Sequence, residues 1–283
     1  MSYNKGVKTR QQQKDVITSN IWSTLNYDIN SYSPDLFKGV MTAFYMESDF
    51  GARGDFTSRY RGISQIGPNI DSDFSHIFPE LSYRDSDPNR YNAFISDPGN
   101  SAQVYFKVTS DYMGSKNWKD YKIMERGMEL GYDPELIRYL SWQQGKAGAA
   151  DVISTISYYN PNSKVQSNRM PGDAKYTGNL SGHTFYNLVH QLNSADRKAF
   201  LPYLVGGNKK TIDYSKVGGK GSSSYKALQA SLLNAYMNTT ITKWDSYSKK
   251  ASTGYDNYIK NKPEDRMMNQ FVGEDTMISN KQY

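Results

Sequence analysis

The chain has 283 residues and no cysteine, so it is long enough to bury a core without covalent staples, and a disulfide framework, zinc ribbons, iron–sulfur clusters and thiol nucleophiles are excluded. Only 37% of residues are apolar, yet 14% are aromatic, with 24 Tyr, which reads as a folded, tyrosine-rich protein. The 34 Lys and Arg against 28 Asp and Glu leave a charge of +6, which favours an anionic partner (nucleic acid, a membrane surface or a bacterial wall) without choosing among them.

In chain order, residues 1–16 read as a polar arm with no apolar h-region of a signal peptide. No later apolar run approaches the roughly 18 to 20 residues of a membrane span. Ser33-Pro34-Asp35 is a helix start, with a cap, a proline in the first turn and an early acid. Leu36, Val40, Ala43 and Phe44 then share one helical face, and Gly51 is the expected stop. Alternation over Ala102 to Val108 is the best strand signal. Asp133-Pro134-Glu135 opens a second helix through Leu136, Ile137 and Leu140, which Gly145 can end. Gly148 to Tyr159 reads as a third. Residues 161–182, rich in Asn, Pro, Ser and Gly, read as a linker. A helical region follows over 183–250. It holds one helix through Phe185, Leu188, Val189 and Leu192, and a short segment capped by Ser194. After a loop from Gly206 to Ser224, a last helix runs from Tyr225 through Leu228, Leu232, Ala235 and Tyr236 towards Trp244. Residues 251–283 read as a polar, irregular tail. The fold class expected is mainly α, with no repeat and no heptad array.

One acid is placed for chemistry. Glu47 follows Val40 by seven residues and Phe44 by three, on the apolar side of its helix near the C-terminal end. Partial desolvation and nearby carbonyl ends both favour the protonated carboxyl, as a general acid near neutral pH requires. The alternative for such a Glu is a solvated or salt-bridged surface residue.

The segment after it is Glu47-Ser48-Asp49-Phe50, a polar Gly-rich stretch, then Gly62-Ile63-Ser64-Gln65-Ile66-Gly67-Pro68. It resembles the lytic transglycosylase motif of the lysozyme-like superfamily: a Glu-Ser pair, an aromatic two residues on, then Gly-Leu-Met-Gln-Ile with a Pro soon after. Gly62 and Gln65 stand fifteen and eighteen residues after Glu47, the family's separations without a gap. Further on, Leu140-Ser141-Trp142-Gln143-Gln144-Gly145 is similar to the family's later Ala-Tyr-Asn-Ala-Gly motif, which in phage virion versions often reads Ala-His-Gln-Gln-Gly.

The resemblance covers about residues 30 to 160. It implies a lysozyme-like helical domain of the goose-type or transglycosylase kind over 17–160, with a helical, loop-rich C-terminal extension. It implies that Glu47 is the single acid/base, protonating the glycosidic oxygen and then taking the proton of the muramic acid 6-hydroxyl. Ser48 would position the Glu or the sugar. Gln65, with the backbone of Gly62 and Ile63, would contact the N-acetylated sugar. Gln143 would line the cleft at the motif's Asn position, beside Trp142 at its Tyr position. Phe50 would support the core. One carboxylate suffices for such a reaction, whereas two-carboxylate glycosidases hold a partner at about 5 to 9.5 Å. No cofactor or metal is called for, and His76, His183 and His190 show no metal spacing. The implied partners are peptidoglycan strands and other proteins of a phage particle, which would carry the enzyme to the host envelope. No specific nucleic acid and no membrane span are expected.

The chain departs from the family at Phe56, where the family has Ser, at Arg59, where it has Gly, at Ser64, where it has Met, and at Trp142. Trp142 can donate through its ring N–H but cannot accept, which leaves lyase and hydrolase open. Asp49 and Asp55 are the nearest spare acids: a continuing helix would point Asp49 away, Asp55 could hold a water for hydrolysis, and surface acids are the plain alternative for both. Arg53, Arg59, Tyr60 and Arg61 are candidate glycan or nucleic-acid contacts, with a solvated loop as the plain alternative. The Gly-rich segments at Gly206 and Gly218 lack the phosphate-loop pattern and read as flexible loops. Two other functions stay open: a structural virion protein with a lysozyme-like domain of little activity, and a basic nucleic-acid-binding module.

Overall fold

Prolines punctuate this chain. The computed structural model describes residue 21 and residues 34–49, 59–114, 123–159 and 180–261. Among them the protein is mainly helical with no strand, in agreement with the mainly α class. Of the nine helices with both ends among the described residues, five open on a proline, whose fixed φ suits a helix start and whose missing N–H costs nothing there. The chain falls into two units: residues up to Gln103 with those from Ser246, and Val104–Asp245. The divisions lie inside two helices rather than in the expected linker, of which only residues 180–182 are described.

In the first unit, α1 (Pro34–Ser48) has Asp35 in its first turn, where an acid opposes the helix dipole. It buries Phe37, Val40, Met41, Ala43 and Phe44. Gly51 is not what stops it. Asp49 turns left-handed at φ 50°, with its N–H on the Tyr45 carbonyl at 3.1 Å. Asp is among the few non-glycine residues that tolerate this conformation, so the helix ends earlier than a search for glycine suggests. Next come α2 (Pro68–Phe74), a 3₁₀ turn (Pro79–Tyr83) and α3 (Pro88–Ser96), whose cap Asp87 accepts from the Arg90 N–H at 3.1 Å. Then comes α4 (Pro98–Gly114), which belongs to the second unit from Val104 onward.

Helix α4 overturns the strand expected over Ala102 to Val108. Asp97 takes the Asn100 N–H on its side chain at 2.9 Å, capping Pro98 as Asp133 caps Pro134. Ala102, Val104, Tyr105 and Val108 are all buried, a face broad enough to resemble alternation over a few residues.

The expected irregular tail is also corrected over residues 251–261, because the last helix, α9, runs Ser223–Asn261. Its C-terminal part belongs to the first unit. There the Tyr247 ring stacks on Tyr45 at 5.9 Å and the Tyr255 ring meets Phe37 at 5.4 Å. Tyr247, Ala251 and Tyr255 stand four apart, so a helix gathers them on one stripe against α1. Low overall hydropathy hid that stripe.

In the second unit an apolar cluster gathers Ile137, Leu140, Val152, Ile153, Phe185, Leu188 and Leu232. Helix α5 (Ile123–Glu129) crosses α6 (Pro134–Tyr159) at Gly127, where a Cβ would come within 2.5 Å of Ile137 Cδ1. Asp133 caps α6, its Oδ1 accepting from the N–H groups of Glu135 and Leu136 at 2.8 and 3.0 Å. Gly145 breaks α6 with φ 66° and ψ 167°, and helix resumes behind it as expected. Ser181 caps α7 (Gly182–Gln191). Helix α8 (Ser194–Phe200) is capped by Asn193, which takes the Ala195 and Asp196 N–H groups at 3.0 and 2.9 Å. Ser194 is already helical, so the cap lies one residue before the expected one. A bridge between Leu204 and Ile212 and a 3₁₀ turn (Tyr214–Val217) order the glycine-rich loop before α9.

Two stability predictions follow from this frame. Gly145 holds a backbone conformation essentially confined to glycine, and nothing lies within 4 Å of a Cβ there. Gly145→Ala is therefore expected to cost about 1–3 kcal/mol from backbone strain alone, read by urea unfolding. Asp151 accepts the Ser181 N–H at 2.9 Å, but burial pushes its carboxyl above the ordinary range, outweighing that bond and those of the Ser181 and Thr184 hydroxyls. A carboxyl raised on folding contributes most to stability below its unfolded value, and that contribution is lost as pH rises through the folded one. The stability of Asp151→Asn relative to wild type should therefore increase between pH 3 and pH 7 in denaturant titrations.

Candidate functional site

The last turn of α1 carries both members of the Glu-Ser pair. Glu47 is half-buried at the edge of the apolar face, as its spacing from Val40 and Phe44 requires. Ser48 is fully buried, and its hydroxyl donates to the Ile63 carbonyl at 2.7 Å. One bond thus joins the end of the Glu-bearing helix to the Gly62–Ile66 turn.

That turn is closed by two backbone bonds, Arg61 N–H to the Ile66 carbonyl at 3.0 Å and Ile66 N–H to the Arg61 carbonyl at 2.8 Å. Gly62 is required at its corner. It sits at φ 78°, and a Cβ would stand 2.9 Å from the Ile95 carbonyl oxygen. Gln65 is also left-handed, at φ 55°. Its backbone N–H and its side-chain Nε2 both donate to the Gly62 carbonyl, at 3.2 and 2.8 Å. The amide plane is therefore fixed by the turn, and Gln65 remains half-exposed. Ile63, Ser64 and Ile66 are buried, so apolar and small side chains lock the turn from below.

A buried polar cluster braces the turn. Arg84 pairs with Asp71 through Nε, and its Nη2 donates to the Tyr91 hydroxyl at 2.6 Å and to the Ile66 carbonyl at 2.8 Å. Its Nη1 donates to the Arg59 carbonyl at 3.1 Å. The Tyr91 hydroxyl in turn donates to Asp71 Oδ1 at 3.0 Å. The guanidinium lies 4.7 Å from the Tyr91 ring centroid. Burial pushes the Asp71 carboxyl up, while hydrogen bonds from Arg84 and Tyr91 and the Arg84 charge pull against it. Burial, then the negative charge of Asp71, raise Tyr91 as well. The cluster was not visible in the sequence. Its members lie thirteen and seven residues apart across a 3₁₀ turn, a spacing with no periodic signature.

The other two proposed site residues belong to the second unit. Trp142 is buried, its ring 5.1 Å from that of Tyr105. Gln143 is half-exposed and bonded at both ends of its amide. It donates to the Tyr139 hydroxyl at 3.1 Å and accepts from the Tyr236 hydroxyl at 2.5 Å. Tyr236 also accepts from Gln144 Nε2 at 3.2 Å, and Gln144 Nε2 donates to Gln191 Oε1. Tyr139 and Tyr236 are thus partners the motif does not announce. Phe50, Arg53, Asp55 and Phe56 lie outside the described residues.

Among the described residues no group of three or more acids and histidines could hold a metal ion, and no helix is long and apolar enough to cross a membrane. Comparison with family models, curated proteins and solved structures finds no match for the chain.

The bracing cluster makes a testable demand. Arg84→Met leaves a carboxylate buried beside Tyr91 without its cation. The expected loss is about 3–5 kcal/mol, measured by chemical unfolding. A loss under about 1 kcal/mol would mean that Arg84 braces nothing.

Proposed function

We propose that the protein is a peptidoglycan lytic transglycosylase that cuts the β-1,4 bond between N-acetylmuramic acid and N-acetylglucosamine, with Glu47 as its single acid/base. The observation that carries the reading is the Ser48 hydroxyl on the Ile63 carbonyl at 2.7 Å. Two motif segments fifteen residues apart are built as one piece, with the half-buried acid on one side and the fixed Gln65 amide on the other. A lysozyme-like fold over residues 17–160 is part of the same proposal.

The chemistry needs one proton carrier. Glu47 donates its proton to the glycosidic oxygen as the bond to the muramic acid C1 breaks. The N-acetyl oxygen of the same sugar shares the positive charge that develops at C1. The ionised Glu47 then takes the proton of the 6-hydroxyl as its oxygen closes on C1. The product is a 1,6-anhydro sugar, no water is consumed, and Glu47 ends protonated as it began. One N–H of the Gln65 amide is engaged by the Gly62 carbonyl, so the groups it would offer an N-acetylated sugar are its second N–H and its carbonyl oxygen. Carriage in a phage virion, with other virion proteins as partners and action in the host envelope, completes the reading.

A second reading draws on the second unit. Gln143 has both ends of its amide satisfied inside the protein, and Trp142 is buried. Those are the contacts of a motif retained for architecture, as in a structural virion protein of little activity.

Mass spectrometry of fragments released from bacterial sacculi separates these readings. Fragments ending in 1,6-anhydro muramic acid are expected from the wild type and should fall at least about 100-fold with Glu47→Gln. Reducing-end muramic acid would mean hydrolysis. No fragments from the wild type would favour the structural reading.

A further inference from the structure

The pairing of Arg61 with Ile66 sets residues 60 and 67 opposite each other at the mouth of the turn. Residue 67 is glycine, and a Cβ there would stand 2.7 Å from Cε1 and 3.0 Å from Cδ1 of Tyr60. The Tyr60 ring therefore rests on the Gly67 backbone, where no side chain would fit. Even so, the residue is 52% exposed, and it is the most exposed aromatic among the described residues. The chain on both sides is held: Arg84 takes the Arg59 carbonyl before the ring and the Ile66 carbonyl across from it, at 3.1 and 2.8 Å. An aromatic ring with one face on backbone, fixed on a braced turn, is a preorganised surface that loses little freedom when covered.

We propose that Tyr60 is a stacking platform for one pyranose ring of a glycan, standing beside Gln65 on the same turn. The proposal rests on the glycan-cleaving reading and adds a binding residue to it. A pyranose presents a face of C–H groups with hydroxyls at its rim. Such a face suits an amphipathic ring whose edge carries a hydroxyl, with the Arg59 guanidinium 5.9 Å from the ring centre. A nucleobase stacks on the same kind of face but draws its affinity from cations along the backbone. Here Arg61 is turned inward, donating to the Arg84 carbonyl at 3.3 Å and lying 5.6 Å from the Tyr91 ring. The sugar is thus the better match.

The test uses the full chain carrying Glu47→Gln, so that ligand is bound and not consumed. Calorimetry with the β-1,4 tetramer of N-acetylglucosamine compares this parent with the same protein bearing Tyr60→Ala or Tyr60→Phe. Tyr60→Ala should weaken binding about tenfold, and Tyr60→Phe no more than about threefold, with unfolding temperatures unchanged. Parental affinity in Tyr60→Ala overturns the platform and leaves the glycan reading standing. An equal loss in Tyr60→Phe also overturns it, since the ring would not be the cause. A parent that binds no tetramer, from a wild type that releases no fragments from sacculi, overturns both. Salt-sensitive binding of a single-stranded oligonucleotide that Tyr60→Ala abolishes, with tetramer binding untouched, would assign the ring to nucleic acid instead.

Discussion

The buried ion pair of Asp71 with Arg84 is the constraint on which the first unit depends. A charged pair removed from water gains little net stability, because desolvation offsets most of the attraction. What it can enforce is geometry. Arg84 uses the fork of its guanidinium on four partners at once: the Asp71 carboxylate, the Tyr91 hydroxyl and the carbonyls of Arg59 and Ile66. A lysine, with a single point charge, could not hold both sides of the turn in this way. The turn so held places Ile63, whose carbonyl takes the Ser48 hydroxyl. Through that bond the position of the Glu47 helix end is tied to the position of Gln65. The proposed acid, the proposed amide contact and the Tyr60 ring all derive their placement from one buried cation.

The second unit solves a similar problem without charge. Gln144 donates to Tyr236, Tyr236 to Gln143, and Gln143 to Tyr139, a chain of hydrogen bonds running in one direction. Such chains polarise each member in turn, and in a low-dielectric interior they fix side chains firmly once satisfied. They sit where α6 breaks at Gly145. The break turns the chain just after the two glutamines, and Gln144 can then reach both α7 at Gln191 and α9 at Tyr236.

Much of the helical frame was legible because its signals are local. Pro34 opens α1, Pro134 follows its cap Asp133, and Gly145 stands at the end of an apolar face. Pro68, Pro88 and Pro98 open helices in the same way, and Asp97 before Pro98 is the signal that outweighs the alternation of Ala102 to Val108. The end of α1 was misplaced because a left-handed Asp49 does the work that Gly51 was expected to do. Helix beyond residue 250 was missed for a different reason. Tyr247, Ala251 and Tyr255 form a thin stripe among polar residues, and it becomes stabilising only when α1 lies against it. In the candidate site, Glu47, Ser48, Gly62 and Gln65 were visible as a spacing. Arg84, Asp71 and Tyr91 were not, because an isolated arginine, aspartate and tyrosine look like surface residues until folding takes them out of water together.

The sequence alone therefore determined where α1 and α6 begin, which face of α1 is apolar, and that Glu47 stands at the edge of that face. These follow from dihedral preferences and helical periodicity, which act within a few residues. Tertiary structure decided which polar groups are buried and what they hold: the Arg84 cluster around the turn, the Ser48 bond to Ile63, and the glutamine–tyrosine chain beside Gly145. Burial makes an unpaired polar group costly, and only the assembled fold decides which partners are near enough to satisfy it.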